Sequence, residues 1–369
     1  MNASTIHRHA LKVGRGPVSI ARRIWDLTTH AQLSRSYYPE EPTKSKARVL
    51  GELLWWLLRS GEINNYYYAY GLDRKSVDRS RELLPYRQFR RLRNRLNLRT
   101  GRAPYNYVCL LRDKFVFAQF VSSLGLPTPR SFALLDARHV TWLDTSATLP
   151  LHAIGERRDL EIDGFCKKVA GIRGEGAFAL RIAAGSLSLH GRTISVRELE
   201  ALLDERYLLQ QRVIQHEALD ALHDGSVNTL RLITFATASG IELFAAALRV
   251  GVHGESVDNW AAGGLIVGID AQRGTLRGEG FYKPGHGGRT PCHPDSGIEF
   301  DGFEIPYFFA AVQLASRLHG YLREIHSIGW DVAITPTGPT LIEGNDDWEG
   351  GIPMVLERDF RRRFLAMCR

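Results

Sequence analysis

The chain has 369 residues, 44% hydrophobic and 24% charged, the balance of an ordinary soluble globular protein with length for two or three domains. No apolar run approaches the ~18 residues needed to span a bilayer, and the longest cluster, Leu53–Leu58, is far too short. No apolar stretch near the N-terminus reads as a signal peptide. Cys109, Cys166, Cys292 and Cys368 are scattered without CxxC spacing. They read as thiols of a reducing compartment, so a cytoplasmic location is expected. His286, Cys292 and His293 match no zinc-ligand spacing.

The formal net charge of +8 is unevenly placed. Residues 1–105 carry 21 Lys and Arg against 8 Asp and Glu, a net of +13, and the remainder carries 27 against 32, a net of −5. The basic part is either a separate unit or a surface for an acidic partner.

Residues 1–46 predict a poorly ordered basic arm with a helix near Ile20–Leu33. Ala47–Arg59 predicts a helix stopped by Gly61, and Val77–Leu98 predicts a second, Arg-rich one. The run RQFRRLRNRLNLR suits nucleic acid or anionic lipid, or its Arg stems cover the domain's own apolar surface. No nucleic-acid-binding motif accompanies it. Membrane docking is the better functional alternative, because Trp55 and Trp56 adjoin basic segments and indoles favour interfaces.

From Tyr105 the character changes. Asp113–Leu124 has apolar residues at helical spacing. Strands are predicted at Ser131–Leu134, Asp163–Ala170, Tyr207–Ile214, Thr229–Ala236, Ile241–Val250 and Leu265–Ile269, with helices at Glu198–Glu205 and Tyr307–Ile325. The expected fold class is α+β, or α/β, with much antiparallel sheet.

Two stretches carry chemistry. In Ser327–Trp348 two apolar runs flank TPTGPT, which predicts a hairpin. A turn centred on Thr337 sets Asp331 opposite Glu343 and Val332 opposite Ile342, with Asn345 on the face of Glu343. Two carboxylates and a carboxamide then converge on one face, while Val332, Ile334 and Ile342 pack on the other. Such a set suits a hard cation such as Mg²⁺, or else the carboxylates bond to nearby Arg. The second stretch is KKVAGIRGEGAF, where Lys167 and Lys168 precede Gly171, Gly174 and Gly176. Glycines let successive backbone N–H groups point at one anion, and a strand lysine adds charge for phosphates. It is neither a Walker A loop nor GxGxxG.

Together with RDK at Lys114, LLQQRVIQH, SVNTLRLITF, RVGVHGESVDNWAAGGLIVGID and CHPDSG, these motifs resemble the ATP-grasp superfamily from about Tyr105 to Asp347. Within it they look like the sugar-transfer-associated ATP-grasp branch, related to the α-L-glutamate ligases. The resemblance implies two β-rich lobes sandwiching ATP, at 105–205 and 206–369, behind a basic helical region at 1–104. It implies Lys114 and Lys168 on the α- and β-phosphates, and Gly171, Gly174 and Gly176 as a mobile loop over the nucleotide. Gln211, Arg212 and Val213 would line the adenine, and Glu217 would hold the ribose. Arg231 and Arg249 would face the γ-phosphate or an acyl-phosphate, beside Asn228 and Asn259. Asp331, Glu343 and Asn345 would bind Mg²⁺ or Mn²⁺. Lys283 and His293 are further candidates. The chain departs from the pattern in two ways. Basic helices stand where many relatives have a Rossmann-like domain, and Gln211 stands where many have Glu.

The function implied is an ATP-dependent carboxylate–amine ligase acting through an acyl-phosphate, on a sugar acid or amino acid in glycan or peptide synthesis. Two alternatives stand beside it. One is a phosphotransferase to a hydroxyl, with Asp295 or His293 as base. The other is a protein docking through its basic region on an anionic membrane or glycan, peripheral at the inner membrane face, with a vestigial nucleotide site.

Overall fold

A computed structural model describes residues 36–77, 83–99, 105–159, 161–171, 174–189, 191–253, 260, 263–357 and 359–368. The helix expected at Ile20–Leu33 lies outside them. Ser36–Ser45 does not behave as a loose arm. The Tyr37 ring stacks on Phe281, its hydroxyl donates to the Tyr282 carbonyl (2.9 Å), and Arg289 donates to the Tyr37 carbonyl (2.7 Å).

Helix α1 (Lys46–Ser60) starts where the Ser45 hydroxyl accepts the Arg48 N–H and stops at Gly61, whose φ of 71° suits a residue without Cβ. Helix α2 (Tyr86–Asn97) is shorter than the expected Val77–Leu98. Pro85 disfavours helical backbone at Leu84, so the helix begins after it. Residues 78–82 are not among those described. Next come α3 (Cys109–Arg112) and α4 (Lys114–Ser123), the latter capped by Asp113, whose carboxylate accepts the Val116 N–H.

The first sheet contains β1 (Ser131–Leu135), β2 (His139–Trp142), β3 (Thr148–Pro150), β4 (Glu161–Lys168), β5 (Phe178–Ala183), β6 (Ser186–Leu189), β7 (Arg192–Ile194) and, after α5 (Val196–Leu202), β8 (Tyr207–Gln211). Its order is β3-β2-β1-β8-β4-β5-β6-β7, antiparallel throughout. Helix α6 (Glu217–Leu222) leads to the second sheet. That sheet contains β9 (Thr229–Thr237), β10 (Gly240–Val250), β11 (Leu265–Asp270), β12 (Thr275–Tyr282), β13 (Arg289–Thr290) and, after α7 (Phe308–Gly320), β14 (Ser327–Thr335) and β15 (Gly338–Asn345). Its order is β13-β12-β11-β10-β9-β14-β15, again antiparallel. Helices α8 (Gly351–Leu356) and α9 (Phe360–Met367) close the chain. The α+β expectation holds.

Strand alternation divides the labour of the second sheet. Leu230, Leu232, Trp330, Val332 and Ile334 face one core with α7. On the opposite face Ile233, Phe235 and Phe244 pack with Trp348, Met354, Phe360 and Phe364, and with Val49, Leu53, Trp56 and Phe89 of the N-terminal helices. The basic region thus shares a core with the second sheet. Arg231 and Asp331 stand on this same face, further along the strands.

Under α7 lies a buried polar relay. The Trp330 indole donates to the Thr234 hydroxyl (2.8 Å), which donates to His319 Nδ1 (2.7 Å), and His319 Nε2–H donates to the Ile325 carbonyl (2.8 Å). That carbonyl can only accept, which fixes the neutral tautomer. Burial pushes the His319 pKa down to about 4. Between that value and the ordinary 6.5 the unfolded chain binds the extra proton. Stability is therefore fully present above pH 6.5 and is lost as pH falls towards 4, by about 3 kcal/mol from this group. Urea unfolding of His319→Gln across this window should show a shallower pH dependence than the wild type. An unchanged slope would contradict the relay.

Candidate active site

The β14–β15 hairpin sets up the site. Its tight turn pairs Thr335 with Gly338, one residue off the register expected from a turn centred on Thr337. A bulge then inserts Ile342, so Val332 pairs with Leu341 while Asp331 still pairs with Glu343. Leu341 enters the core, and Ile342 leaves the apolar face expected for it to line the cleft between the sheets.

That cleft has a volume of about 2070 Å³. Single small-molecule sites occupy roughly 300–1,000 Å³, so there is room for two substrates. Lys114, Gly171, Gly174, Gln211, Arg212, Val213, Arg231, Arg249, Asp331, Glu343 and Asn345 all line it. Asn259 lies outside the described residues.

Arg231 and Asp331 are direct cross-strand partners on β9 and β14. Arg231 Nε donates to Asp331 Oδ1 (2.6 Å) and Nη2 to Oδ2 (3.1 Å), while Arg249 Nη1 donates to Oδ2 (2.9 Å). Burial pushes the Asp331 carboxyl up, but the two guanidiniums more than offset this and hold it below the usual range. The Glu343 carboxyl is within hydrogen-bond reach of Asp331, and the Asn345 amide donates to Glu343 Oε1 (3.3 Å). Two carboxyl groups in contact call for a shared proton or a shared cation. With Asn345 the donors are all oxygen, as a hard divalent ion requires, and the set fits Mg²⁺ or Mn²⁺. The Arg pairing weighed as the alternative in the hairpin is present at Asp331.

The lysine of β4 that faces the cleft is not the one expected to contact phosphate. Alternation along β4 turns Lys167, with Phe165 and Asp163, into the cleft, and Lys168 to the other side. There the Lys168 ammonium meets Asp204 (2.6 Å) and Glu205 (3.6 Å). Burial pushes Lys167 down to about 8, against the pull of the Glu343 charge and with some help from Lys114. The Lys114 ammonium donates to the Gly171 carbonyl and stands 3.6 Å from Glu343. Two of the glycines accommodate the Lys168 stem: a Cβ at Gly171 would sit 2.7 Å from its Cβ, and one at Gly176 2.7 Å from its Cε. Gly176 is not among the residues lining the cleft.

The segment after β8 is anchored by Arg212 N–H to the Asp163 carbonyl (3.0 Å) and His216 N–H to the Ile334 carbonyl (2.8 Å). It therefore joins the two sheets. Glu217 is not on the cleft wall. It opens α6, and within that helix the acid that lines the cleft is Asp220, which accepts from Gln215 (3.0 Å). Its place one turn into α6 was the signal that sequence reading passed over. Asn228 is fully buried and structural, with its amide donating to the Leu219 and His223 carbonyls (2.8 Å each). Lys283 lines the cleft 5.9 Å over the Trp260 ring.

His293 and Asp295 fall outside the cleft lining. With His223 they form a cluster whose candidate ligand atoms lie within 4.8 Å of one another. His293 Nε2–H donates to the Gly251 carbonyl (2.8 Å), and Nδ1 accepts the Asp295 N–H (3.3 Å). Both nitrogens are engaged, so the cluster is a structural clasp.

The sequence matches the sugar-transfer-associated ATP-grasp family over residues 93–368. No curated protein matches it. Among solved structures, it is similar to D-alanyl-alanine synthetase A from Vibrio cholerae O1 biovar eltor str. N16961 at 9% identity and TM-score 0.40, over 70% of this chain and 64% of that one. It is similar to N5-carboxyaminoimidazole synthetase from Staphylococcus aureus at 11% identity and TM-score 0.39, over 78% and 58%. It is also similar to the L-amino acid ligase from Bacillus licheniformis at 10% identity and TM-score 0.37, over 66% and 42%. The chain thus spans less than two thirds of each of these proteins. With the family match covering most of its length, the chain belongs to the sugar-transfer-associated ATP-grasp family.

Proposed function

We propose that this protein is an ATP-dependent carboxylate–amine ligase. The observation that carries the reading is one cleft wide enough for two substrates, in which an oxygen-donor trio (Asp331, Glu343, Asn345) faces Lys114, Lys167 and two arginines. Mg²⁺ or Mn²⁺ held by the trio would neutralise charge on the nucleotide's phosphates. Lys114 and Lys167 bind the nucleotide's phosphates from the first sheet, with Gly171 and Gly174 over them. Gln211, Arg212 and Val213 border the base, and Asp220 takes the ribose role first expected of Glu217. Arg231 and Arg249 hold the anionic groups between which the phosphoryl group passes.

A carboxylate oxygen of the donor attacks the γ-phosphorus, the bond to the ADP oxygen breaks, and an acyl-phosphate forms. An amine then attacks the carbonyl carbon, phosphate leaves, and the amine gives up a proton. No protein nucleophile is needed. The cleft positions the reactants, stabilises charge and excludes water from the acyl-phosphate. A sugar acid or an amino acid is the donor class that the family's association with sugar transfer favours. Phosphoryl transfer to a hydroxyl is the second reading. Its candidate bases, His293 and Asp295, stand outside the cleft lining, which favours the ligase. The vestigial-site reading is disfavoured by the paired charges, which are costly to keep buried without use.

Two outcomes test this reading. Protein given ATP, Mg²⁺, hydroxylamine and single carboxylates from a panel of amino acids and sugar acids should yield a hydroxamate with its own donor. Glu343→Gln should lower that rate by about 100-fold or more. ADP formed with the phosphoryl group kept on a hydroxyl compound would contradict the ligase. Separately, calorimetry should find ATP affinity reduced by roughly tenfold or more in Lys167→Gln but little changed in Lys168→Gln. In the wild type, affinity should fall as pH rises through about 8, where Lys167 loses its charge, and Lys167→Arg should flatten that fall. Equal effects at Lys167 and Lys168 would contradict the assignment.

A further inference from the structure

Helix α1 is apolar almost all round. One side buries Val49, Leu53, Trp56 and Leu57. At 100° per residue, Leu54, Trp55 and Leu58 fall on roughly the opposite side, and Leu50 lies on the flank that leads to it. There Leu58 is 78% exposed, and Leu50 and Trp55 are each 41% exposed. A surface helix normally presents polar residues outwards, and a continuous outward apolar stripe marks a contact surface.

Charge identifies what it contacts. Arg48 and Arg59 flank the stripe, and the Arg59 guanidinium lies over the Trp55 ring (5.0 Å). The acid on that edge, Glu52, is neutralised by Lys44 (2.9 Å) and Arg48 (3.2 Å). At the end of α1 the Gly61 carbonyl accepts from Arg87 (3.1 Å), which opens a basic row on α2. Arg87, Arg91 and Arg95 recur at a spacing of four, exposed, with Arg90 and Arg99 exposed beside them. No ion pair among the described residues involves Arg90, Arg91, Arg95 or Arg99. Residues 1–35 add six Lys and Arg against one acidic residue, Asp26. A second copy of this chain docked through the same face would bring the same sign of charge. Nucleic acid would match the arginines but gain nothing from exposed Leu50 and Leu58.

The geometry points to a membrane-docking surface: α1 lies in the interface of a bilayer containing anionic phospholipid, with Leu50, Trp55 and Leu58 among the acyl chains and the α1 and α2 arginines on the headgroups. This is independent of the reaction in the cleft, since none of these side chains lines it.

The test is co-sedimentation of the full chain with phosphatidylcholine vesicles, with and without phosphatidylglycerol, at low and high salt. Binding is expected to the anionic vesicles only, weakening as salt rises. The pair Leu58→Gln/Trp55→Gln and the pair Arg91→Gln/Arg95→Gln should each weaken it by about tenfold or more. All four side chains are exposed, so urea midpoints should stay near the wild type's and show that the fold is intact. Failure of the wild type to bind anionic vesicles would overturn the proposal. So would equal binding to neutral vesicles, or indifference to the Leu58/Trp55 pair. Duplex DNA binding that this pair leaves unchanged, without vesicle binding, would replace it with a nucleic-acid surface.

Discussion

Asp331 is the point on which the site depends. It lies in a cross-strand row, Arg231 on β9, Asp331 on β14 and Glu343 on β15, with Arg249 reaching over from β10. Burying a carboxylate costs several kcal/mol unless it is paired and hydrogen-bonded. Here both oxygens are engaged by guanidiniums fixed on neighbouring strands. The sheet's register thus spaces the charges before any substrate arrives. A ladder that slipped by one residue would turn Asp331 into the apolar core and Trp330 into the cleft.

The N-terminal region belongs to the same logic. Along β9, Thr229 and Arg231 line the cleft, while Ile233 and Phe235 lie under the N-terminal helices and α9. One strand face is therefore cleft wall at one end and covered core at the other. Trp348 joins the two, since it lines the cleft and packs edge-on against Phe89 of α2 (4.9 Å between centroids). The buried Arg93 on α2 donates to the Trp348 carbonyl, and Tyr86 donates to Glu349 (3.0 Å), a further residue of the cleft wall. The basic helices thus form part of the support for one end of the cleft.

Much of this was legible in the sequence where period and chemistry agreed. The strands carrying Arg231, Arg249 and Asp331 were placed within a residue or two, and the Asp331–Glu343 pairing was anticipated. That pairing came out right through two offsetting shifts, a tighter turn and the bulge at Ile342, which no spacing argument could reveal. Lys167 and Lys168 are chemically equivalent in sequence, and only the strand's facing separates them. The short strands of the first sheet, such as β6 and β7, escaped because four and three residues carry too little periodicity to register. Helix α2 was overextended because its Arg-rich pattern continued across Pro85. Trp55 and Trp56 looked alike as neighbours, yet one is buried and the other faces outwards.

The central claim is that a substrate carboxylate oxygen attacks the γ-phosphorus in the cleft formed around Asp331 and Glu343. Oxygen tracing tests it most directly. With the donor carboxylate labelled with ¹⁸O, turnover with ATP and amine should release phosphate carrying one labelled oxygen. Unlabelled phosphate, or label retained wholly in the organic product, would contradict acyl-phosphate chemistry in this cleft.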